Sequence, residues 1–314
     1  MFVVLLLILS TTLCFNAQAS DEASCIAARL AAGYGLHGAE SVSPVIIKRS
    51  RQRRDISEDD AQPKRAIVIG ASIGMGRELS KLLAADGYIV GMAARRLELL
   101  EEIQLDIPTP TYIARMDASQ PEQAIATLNE MIEAMGGLDL LVIAVTGYYD
   151  CDFDDSDWTK SLPVLAVDVT GFFALARTGL NFFEEQGYGH LVGFSSIDGI
   201  RGTAGAPAYS ASKAFCSRYL QAELNKYMQR NLPIFVTDIC PGWVNSKDNI
   251  DFTQTPYAYW VESLDNATRE IFQAIKNKVE IAYITERWGK VAALLSVIPT
   301  DLYNALSARP GGGF

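Results

Sequence analysis

Three residues in the middle of the chain are of the types that move a proton to or from a carbonyl group. Tyr209 and Lys213 are four residues apart in a predicted helix, so their side chains share one face. A tyrosine has a pKa of about 10, and a nearby cation stabilises the phenolate and lowers that pKa. Tyr209 could therefore act as general acid or base, with Lys213 as its cation. Ser196, 13 residues before Tyr209, could hold the substrate oxygen as charge develops on it.

A glycine-rich turn earlier in the chain has the composition of a dinucleotide-binding site. It lies between an apolar strand, residues 66–69, and a helix with leucines at helical spacing. Glycines allow a close approach of a ligand to the backbone, and the helix N-terminus offers free N–H groups to a pyrophosphate. The spacing is GxxxGxG rather than GxGxxG. Its place after the first strand favours a cofactor site over a plain turn. The predicted cofactor residues here are Gly70, Ser72, Ile73, Gly74, Met75 and Gly76.

The cofactor is predicted to be NADP rather than NAD. The second strand ends in Arg95 and Arg96. An acidic residue at this place would bind the ribose hydroxyls of NAD, whereas an arginine pairs with the 2′-phosphate of NADP. The alternative for Arg95 is a solvated arginine in a loop. Asp117, with Ala118 beside it, follows the third strand. It is predicted either to accept a hydrogen bond from the adenine amino group or to cap the next helix.

The elements that must position these residues alternate along the chain from residue 64 onward. Short apolar runs rich in β-branched residues predict strands, and leucines at helical spacing predict helices. This alternation predicts an α/β fold with a doubly wound parallel sheet of about seven strands and helices on both faces. Ligands of such sheets bind beyond the carboxyl ends of the strands, where Ser196 would stand. The predicted strands are 66–69, 88–92, 111–116, 138–145, 190–195, 233–240 and 279–285, and the helices are 77–86, 97–105, 121–135, 164–185 and 209–230.

The motifs run in order along residues 64–246. They are the glycine turn, Asp117, Ser196, Tyr209-Ser210-Ala211-Ser212-Lys213 and Pro241-Gly242-Trp243-Val244. In order and spacing they resemble the short-chain dehydrogenase/reductase family, in its short single-domain branch. The resemblance implies a seven-stranded parallel sheet, a nicotinamide cofactor and hydride transfer to or from a carbonyl. It also implies that Lys213 holds the nicotinamide ribose, that Pro241, Gly242 and Val244 line the cofactor, and that a homo-dimer or tetramer forms on the two long helices.

Two positions depart from the family pattern. Ala144-Val145-Thr146-Gly147 stands where the family usually has Asn-Asn-Ala-Gly. Asp168 stands where the family usually has an asparagine that helps position a water in a proton relay to the lysine. Asp168 is isosteric with asparagine and could keep that water, while adding a negative charge near Lys213. Either the relay works with an altered pH dependence, or catalysis is impaired. A cofactor-binding sensor or scaffold is therefore the alternative to an enzyme, and the intact Ser196, Tyr209 and Lys213 favour the enzyme.

The substrate is predicted only as a small carbonyl compound or alcohol. Aromatic residues near the expected pocket suit an apolar substrate, although ordinary loop and lid packing is slightly favoured. These residues are Tyr148, Tyr149, Phe153, Trp243, Phe252, Tyr257, Tyr259 and Trp260. The apolar segment from Trp288 to Leu306 predicts either a surface for a membrane or partner subunit, or packing on the sheet edge.

Composition and charge exclude several other classes. The 314 residues are 49% hydrophobic and 20% charged, which is a core-forming composition. The formal net charge of −10 opposes non-specific binding of nucleic acid. The five cysteines are widely spaced without a CxxC pair, and there are only two histidines. We therefore predict neither a disulfide framework nor a metal site. The aspartates within residues 150–157 are interpreted as an acidic surface loop.

The first 63 residues are predicted to lie outside the fold, which leaves residues 64–314 as one domain. Residues 1–19 have a short apolar run followed by Ala17-Gln18-Ala19, which is typical of a signal peptide. An uncleaved anchor and an unused upstream start are the alternatives. Residues 20–63 are predicted to be a disordered linker or propeptide. Their basic cluster, residues 48–54, leaves open a dibasic processing site and part of an organelle address.

The compartment depends on that leader. If the signal peptide is used, the protein is secreted or enters the secretory pathway, and the Asn266-Ala267-Thr268 sequon then becomes a glycosylation site. Otherwise the protein is cytoplasmic.

Overall fold

The structure is a computed structural model, and it describes residues 63–147, 157–246 and 258–308. The predicted signal peptide and linker lie outside the described residues. So do most of the acidic loop and the aromatic residues Tyr148, Tyr149, Phe153, Phe252 and Tyr257. The chain divides into two units, residues 53–299 and the remainder, and each is described by itself. The prediction of one domain over residues 64–314 stays a prediction.

Strands and helices alternate along the larger unit. The strands are β1 (Arg65–Ile69), β2 (Ile89–Ala94), β3 (Thr111–Arg115), β4 (Leu140–Ile143), β5 (Gly189–Phe194), β6 (Ile234–Pro241), β7 (Val244–Asn245), β8 (Glu262–Ser263) and β9 (Ile281–Ile284). The helices are α1 (Gly74–Ala85), α2 (Leu97–Asp106), α3 (Pro121–Met135), α4 (Leu162–Leu165), α5 (Phe172–Gln186), α6 (Pro207–Arg230), α7 (Leu264–Lys276) and α8 (Glu286–Val297). In the smaller unit the structure describes one helix, α9 (Thr300–Ser307).

Seven of the strands form one parallel sheet in the order β3-β2-β1-β4-β5-β6-β9. In the register, Val68 of β1 lies opposite Met92 of β2 on one side and Val142 of β4 on the other. Helices α3, α5 and α6 cover one face, and α1, α2 and α7 cover the other. The central strands β1, β4 and β5 are mostly apolar because both faces of the sheet are buried there. The predicted doubly wound fold is confirmed.

The winding of the sheet reverses between β1 and β4, which opens a crevice at the carboxyl ends of these two strands. The glycine turn leaves β1 here, and residues 144–147 leave β4 beside it. Gly70 has a φ of +93°, and a Cβ at this position would lie 2.5 Å from the carbonyl oxygen of Ala144. Only glycine fits both constraints. β4 spans Leu140–Ile143, so the predicted strand 138–145 is too long. Residues 144–147 leave the sheet and line the crevice.

The segment predicted as one helix over residues 164–185 is not a continuous α-helix. A π-helical turn, Ala166–Gly171, joins α4 to α5 and carries the buried Asp168. Such a turn widens the helix locally and is frequent at functional sites. Within the described residues, the helical stretch Trp158–Gln186 is the one long and apolar enough to cross a membrane. Its buried residues Phe172, Leu175, Leu180 and Phe183 pack in the core, which accounts for its apolar composition.

We expect Gly70→Ala to lower the free energy of unfolding more than Gly87→Ala. Both glycines have a φ near +90°, but a Cβ at Gly87 meets no atom within 4 Å. The left-handed backbone costs roughly 1–2 kcal/mol for alanine at either site, and the clash at Gly70 adds about 1–3 kcal/mol. Denaturant unfolding of the two variants measures the difference. Equal losses would show that the approach of Gly70 to Ala144 is not tight.

Candidate active site

The glycine turn places the N-terminus of α1 at the crevice. α1 begins at Gly74, and Ile73 at its N-cap makes no side-chain hydrogen bond to the helix. The first N–H groups of an α-helix have no partner inside the helix, so those of α1 are available to an anion. The predicted cofactor residues from Gly70 to Gly76 all lie in or next to this turn. The arrangement fits the pyrophosphate of a dinucleotide.

The two arginines after β2 lie beside the glycine turn. Both side chains are exposed, and Nη2 of Arg96 donates a hydrogen bond to Oγ of Ser72 at 3.2 Å. Arg96 thus joins the end of β2 to the turn after β1. Arg95, the residue favoured from the sequence for binding a 2′-phosphate, precedes it at the same strand end. Arg95 and Arg96 together place two positive charges beside the crevice.

Asp117 forms a local turn rather than a helix cap. Its Oδ1 accepts hydrogen bonds from the backbone N–H of Ser119 at 3.0 Å and from the Ser119 hydroxyl at 2.8 Å. The N-cap of α3 is Gln120, so the predicted capping role of Asp117 is wrong. The turn fixes the Asp117 carboxylate at the carboxyl end of β3, next to the buried Ala118. The predicted contact with the adenine amino group stays a prediction.

The structure brings Ser196, Tyr209 and Lys213 together. Ser196 follows β5 and starts a short 3-10 turn, Ile197–Gly199. Tyr209 lies in the first turn of α6, where its hydroxyl is hydrogen-bonded to the side chain of Ser196. Nζ of Lys213 lies 5.6 Å from the centre of the Tyr209 ring. The three side chains meet beyond the carboxyl end of β5, as the spacing predicts.

Lys213 is held by a buried ion pair with Asp168. Its Nζ lies 3.2 Å from Oδ2 of Asp168, and the two side chains are 3% and 0% exposed. Nζ also donates to the carbonyl oxygens of Val145 and Phe194, each at 3.4 Å. The cation therefore has a direct carboxylate partner, where the family pattern leads us to expect an asparagine and a water.

Asp168 is fixed by donors from two neighbouring segments, residues 146–147 after β4 and the first half of α6. Its Oδ1 accepts from the backbone N–H of Gly147 at 2.6 Å. Its Oδ2 accepts from the hydroxyls of Thr146 at 3.2 Å and Ser212 at 3.3 Å, besides Lys213. Thr146 and Asp168, both departures from the family pattern, are thus hydrogen-bonded to each other. Sequence reasoning missed the roles of Thr146 and Ser212, although Thr146 stood in a stretch already seen to be unusual.

Burial decides the charge state of Tyr209. It raises the pKa of the phenol above its usual value of 10.0, although Lys213 and the hydrogen bond from Ser196 act in the opposite direction. Asp198 and Asp168 raise it further. The expected influence of Lys213 on this pKa is present, but the net shift is upward. Burial alone would lower the pKa of Lys213, yet Asp168 and Tyr209 raise it above 10.5.

The turn after β6 carries Pro241, Gly242 and Val244. The N–H of Gly242 donates to the carbonyl oxygen of Ile284 at 2.9 Å, and Val244 pairs with Glu262 in the short β7–β8 ladder. This turn lies at the carboxyl end of β6, on the same edge of the sheet as the glycine turn. Its position suits the cofactor contacts that the resemblance implies.

The aromatic residues near this turn pack onto α8. Trp288 of α8 is buried, and its ring centre lies 5.3 Å from Trp260 and 5.9 Å from Trp243. Its Nε1 donates to the carbonyl oxygen of Trp260 at 3.1 Å. Tyr259 is 61% exposed. α8 packs on β9, with Leu294 and Val297 left on its exposed side.

Comparison with known proteins agrees with this geometry. A family model described as short chain dehydrogenase matches residues 64–256. An uncharacterized oxidoreductase of Myxococcus xanthus is 29% identical over 250 residues, covering 78% of this chain and 96% of that protein.

Solved structures share the fold. A 7beta-hydroxysteroid dehydrogenase is 22% identical, with a TM-score of 0.65, covering 78% of this chain and 97% of the other. An alcohol dehydrogenase from the archaeon Thermococcus sibiricus, complexed with 5-hydroxy-NADP, is 20% identical, with a TM-score of 0.61, covering 71% and 96%. The chain belongs to the short-chain dehydrogenase family of oxidoreductases.

Proposed function

We propose that the protein transfers a hydride between NADP(H) and a small carbonyl compound or secondary alcohol. The observation that carries this proposal is the hydrogen-bonded pair of Ser196 and Tyr209, with Lys213 behind it, at the crevice of the glycine turn. A phenol, a hydroxyl and a cation in this arrangement can hold a carbonyl oxygen and supply its proton.

The residues around the crevice fit a dinucleotide. The glycine turn and the uncapped start of α1 would hold the pyrophosphate, and Arg95 and Arg96 the 2′-phosphate that distinguishes NADP. Asp117 would face the adenine, and Lys213 the nicotinamide ribose. Pro241, Gly242 and Val244 would line the nicotinamide end. When bound, the nicotinamide supplies the hydride.

Ser196, Tyr209 and Lys213 have different proposed roles at the substrate oxygen. Oγ of Ser196 accepts the backbone N–H of Asp198 at 3.2 Å, which positions the hydroxyl. Its proton, donated to Tyr209 in this structure, would turn to the substrate oxygen when a substrate binds. The phenol of Tyr209 donates its proton to the oxygen as negative charge develops there. Lys213 stabilises the phenolate that remains. Alcohol oxidation uses the same groups in reverse.

The charge state of Tyr209 favours reduction. A phenol whose pKa lies above 10.0 is protonated at neutral pH, and the protonated form is the one that a carbonyl needs. The Asp168 carboxylate contributes by balancing the charge of Lys213 at 3.2 Å. We therefore propose carbonyl reduction with NADPH as the principal direction.

The alternative function is a cofactor-binding sensor or scaffold without catalysis. The same ion pair favours it, because a lysine whose charge is balanced by Asp168 stabilises a phenolate less. The two functions share the cofactor site and differ in turnover.

The outer face of α5 and α6 suits the proposed homo-dimer or tetramer. Phe173 is 45% exposed, and its ring contacts Phe215 at 6.4 Å and Tyr219 at 5.2 Å. An exposed aromatic cluster on two long helices favours association with a second copy. Contact of the apolar side of α8 with a membrane surface, and passage through the secretory pathway, remain proposals.

We expect NADPH to bind more tightly than NADH, and the difference to depend on the two arginines. In the double variant Arg95→Ala/Arg96→Ala the Kd for NADPH should rise roughly tenfold to a hundredfold, since charge-assisted hydrogen bonds to the phosphate are lost. The Kd for NADH should change less than about threefold. Fluorescence titration measures both, with Arg230→Ala at the far end of α6 as control. Equal losses for both cofactors would remove the arginines from phosphate recognition.

Tyr209→Phe should lower kcat for ketone reduction by about 10²- to 10⁴-fold while the Kd for NADPH is retained. The control is Tyr227→Phe on the same helix, whose hydroxyl instead bonds Glu184 at 2.6 Å. Tyr227→Phe should keep full turnover. Steady-state kinetics with a panel of ketones measures both variants. A wild-type protein that binds NADPH and reduces none of the panel supports the sensor, and turnover that survives in Tyr209→Phe contradicts the proposed proton donor.

In Asp168→Asn, the fall of kcat/KM for reduction at alkaline pH should begin at a lower pH than in the wild-type protein. Reduction needs the protonated phenol, so kcat/KM falls as the pH rises through the pKa of Tyr209. Removal of the carboxylate removes one of the negative charges that raise that pKa, so the pKa of Tyr209 should fall. The amide oxygen can still accept from the backbone N–H of Gly147, and the NH2 group then faces Lys213 without a charge that balances the cation. The measurement is kcat/KM between pH 6 and 11, with Asp86→Asn as a surface control. A fall that begins at the same pH in both proteins would mean that Asp168 does not act on Tyr209.

A further inference from the structure

A second carboxylate, Asp198, stands beside the reacting groups. It lies two residues after Ser196, and its backbone N–H bonds the Ser196 hydroxyl. The turn that carries it packs directly on α6, since a Cβ at Gly199 would lie 2.7 Å from the backbone carbon of Lys213. Asp198 is also close enough to Tyr209 to raise the pKa of that phenol. The turn that carries Asp198 therefore lies beside the Ser196–Tyr209 pair, and its carboxylate is near enough to act on the phenol.

The Asp198 carboxylate has no partner among the residues that the structure describes. No side chain there donates a hydrogen bond to it or lies within ion-pair distance. Asp168, by contrast, accepts from the backbone of Gly147 and from three side chains. Asp198 is half-buried, and burial raises its pKa to about 6, so the group is mainly ionised at neutral pH.

The groups that face Asp198 do not balance its charge. Tyr209 on α6 and Cys240 on β6 are the titratable groups coupled to it. Burial raises the pKa of both, so both are neutral near pH 7. Lys213, the nearest cation along α6, already pairs with Asp168. The site thus presents a net negative wall next to the place where the carbonyl must sit.

We propose that Asp198 selects carbonyl substrates that carry a protonated amine close to the carbonyl group, and that it rejects carboxylates such as keto acids. The inference rests on the proposed function and names its substrate class. An ammonium group would give the carboxylate a charge-assisted hydrogen bond, whereas a second carboxylate would be repelled. In this proposal the Asp198 carboxylate binds the ammonium group of the substrate, and Tyr209 transfers the proton.

The test uses three ketones matched in size, one with an amine, one neutral and one with a carboxylate. In Asp198→Asn the ratio of kcat/KM for the amino ketone to that for the neutral ketone should fall at least about tenfold. The ratio for the keto acid should rise, because the repulsion between the two carboxylates is lost. Asp265→Asn, an exposed change on α7, is the matched control. Unchanged ratios would overturn the proposal.

The pH dependence gives a second readout. The wild-type preference for the amino ketone should decline as the pH falls through about 6, because Asp198 becomes neutral there. Asp198→Asn should lack this decline. A preference that declines equally in both proteins would contradict the assignment.

Failure of the proposed function can be recognised separately. If no ketone is reduced although NADPH binds, the oxidoreductase function fails. Binding of the three ketones to the NADPH complex, measured by calorimetry, then tests Asp198 without turnover. Weaker binding of the amino ketone to Asp198→Asn supports the assignment, and equal binding to both proteins contradicts it.

Discussion

The buried ion pair between Asp168 and Lys213 is the interaction on which the proposed chemistry of the site depends. Two charges removed from water cost free energy unless they are paired and hydrogen-bonded. The protein meets this need with a 3.2 Å contact between the charges and with three further donors to the carboxylate. Burial raises the pKa of Tyr209 more than Lys213 lowers it, and the charge of Asp168 adds to the rise. The phenol stays protonated, which is the state that suits reduction of a carbonyl.

The sheet makes this pair possible. Lys213 comes from α6, Asp168 from the π-helical turn before α5, and Thr146 and Gly147 from the segment after β4. These three segments meet because β4 and β5 are neighbours in a parallel sheet, and their carboxyl ends share one edge. The cofactor turn after β1 opens on the same edge. Asp198 lies on the turn after β5. The residues proposed to hold the cofactor, to supply the proton and to bind the charge of the substrate therefore share one edge of the sheet.

Much of this arrangement is readable from the sequence, for identifiable reasons. Alternating apolar runs and helical spacing predict the doubly wound sheet because burial on both faces forces that pattern, and the fixed offsets of Ser196, Tyr209 and Lys213 predict their meeting. Contacts between distant segments are not readable in this way. The hydrogen bond from Thr146 to Asp168 joins residues 22 positions apart, and the π-helical turn has no local signature. The net rise in the pKa of Tyr209 depends on burial, which appears only when the chain is folded.

A direct titration of the Tyr209 phenol tests the account most sharply. Wild-type protein labelled with ¹³C at the tyrosine ring is titrated by NMR, and the signal absent from Tyr209→Phe identifies the residue. We expect the pKa of this phenol to lie above its usual value of 10.0, and to be lower in Asp168→Asn. A wild-type phenol that ionises between pH 7 and 9 would show that Lys213 dominates despite its carboxylate, and would contradict the central role given to the ion pair.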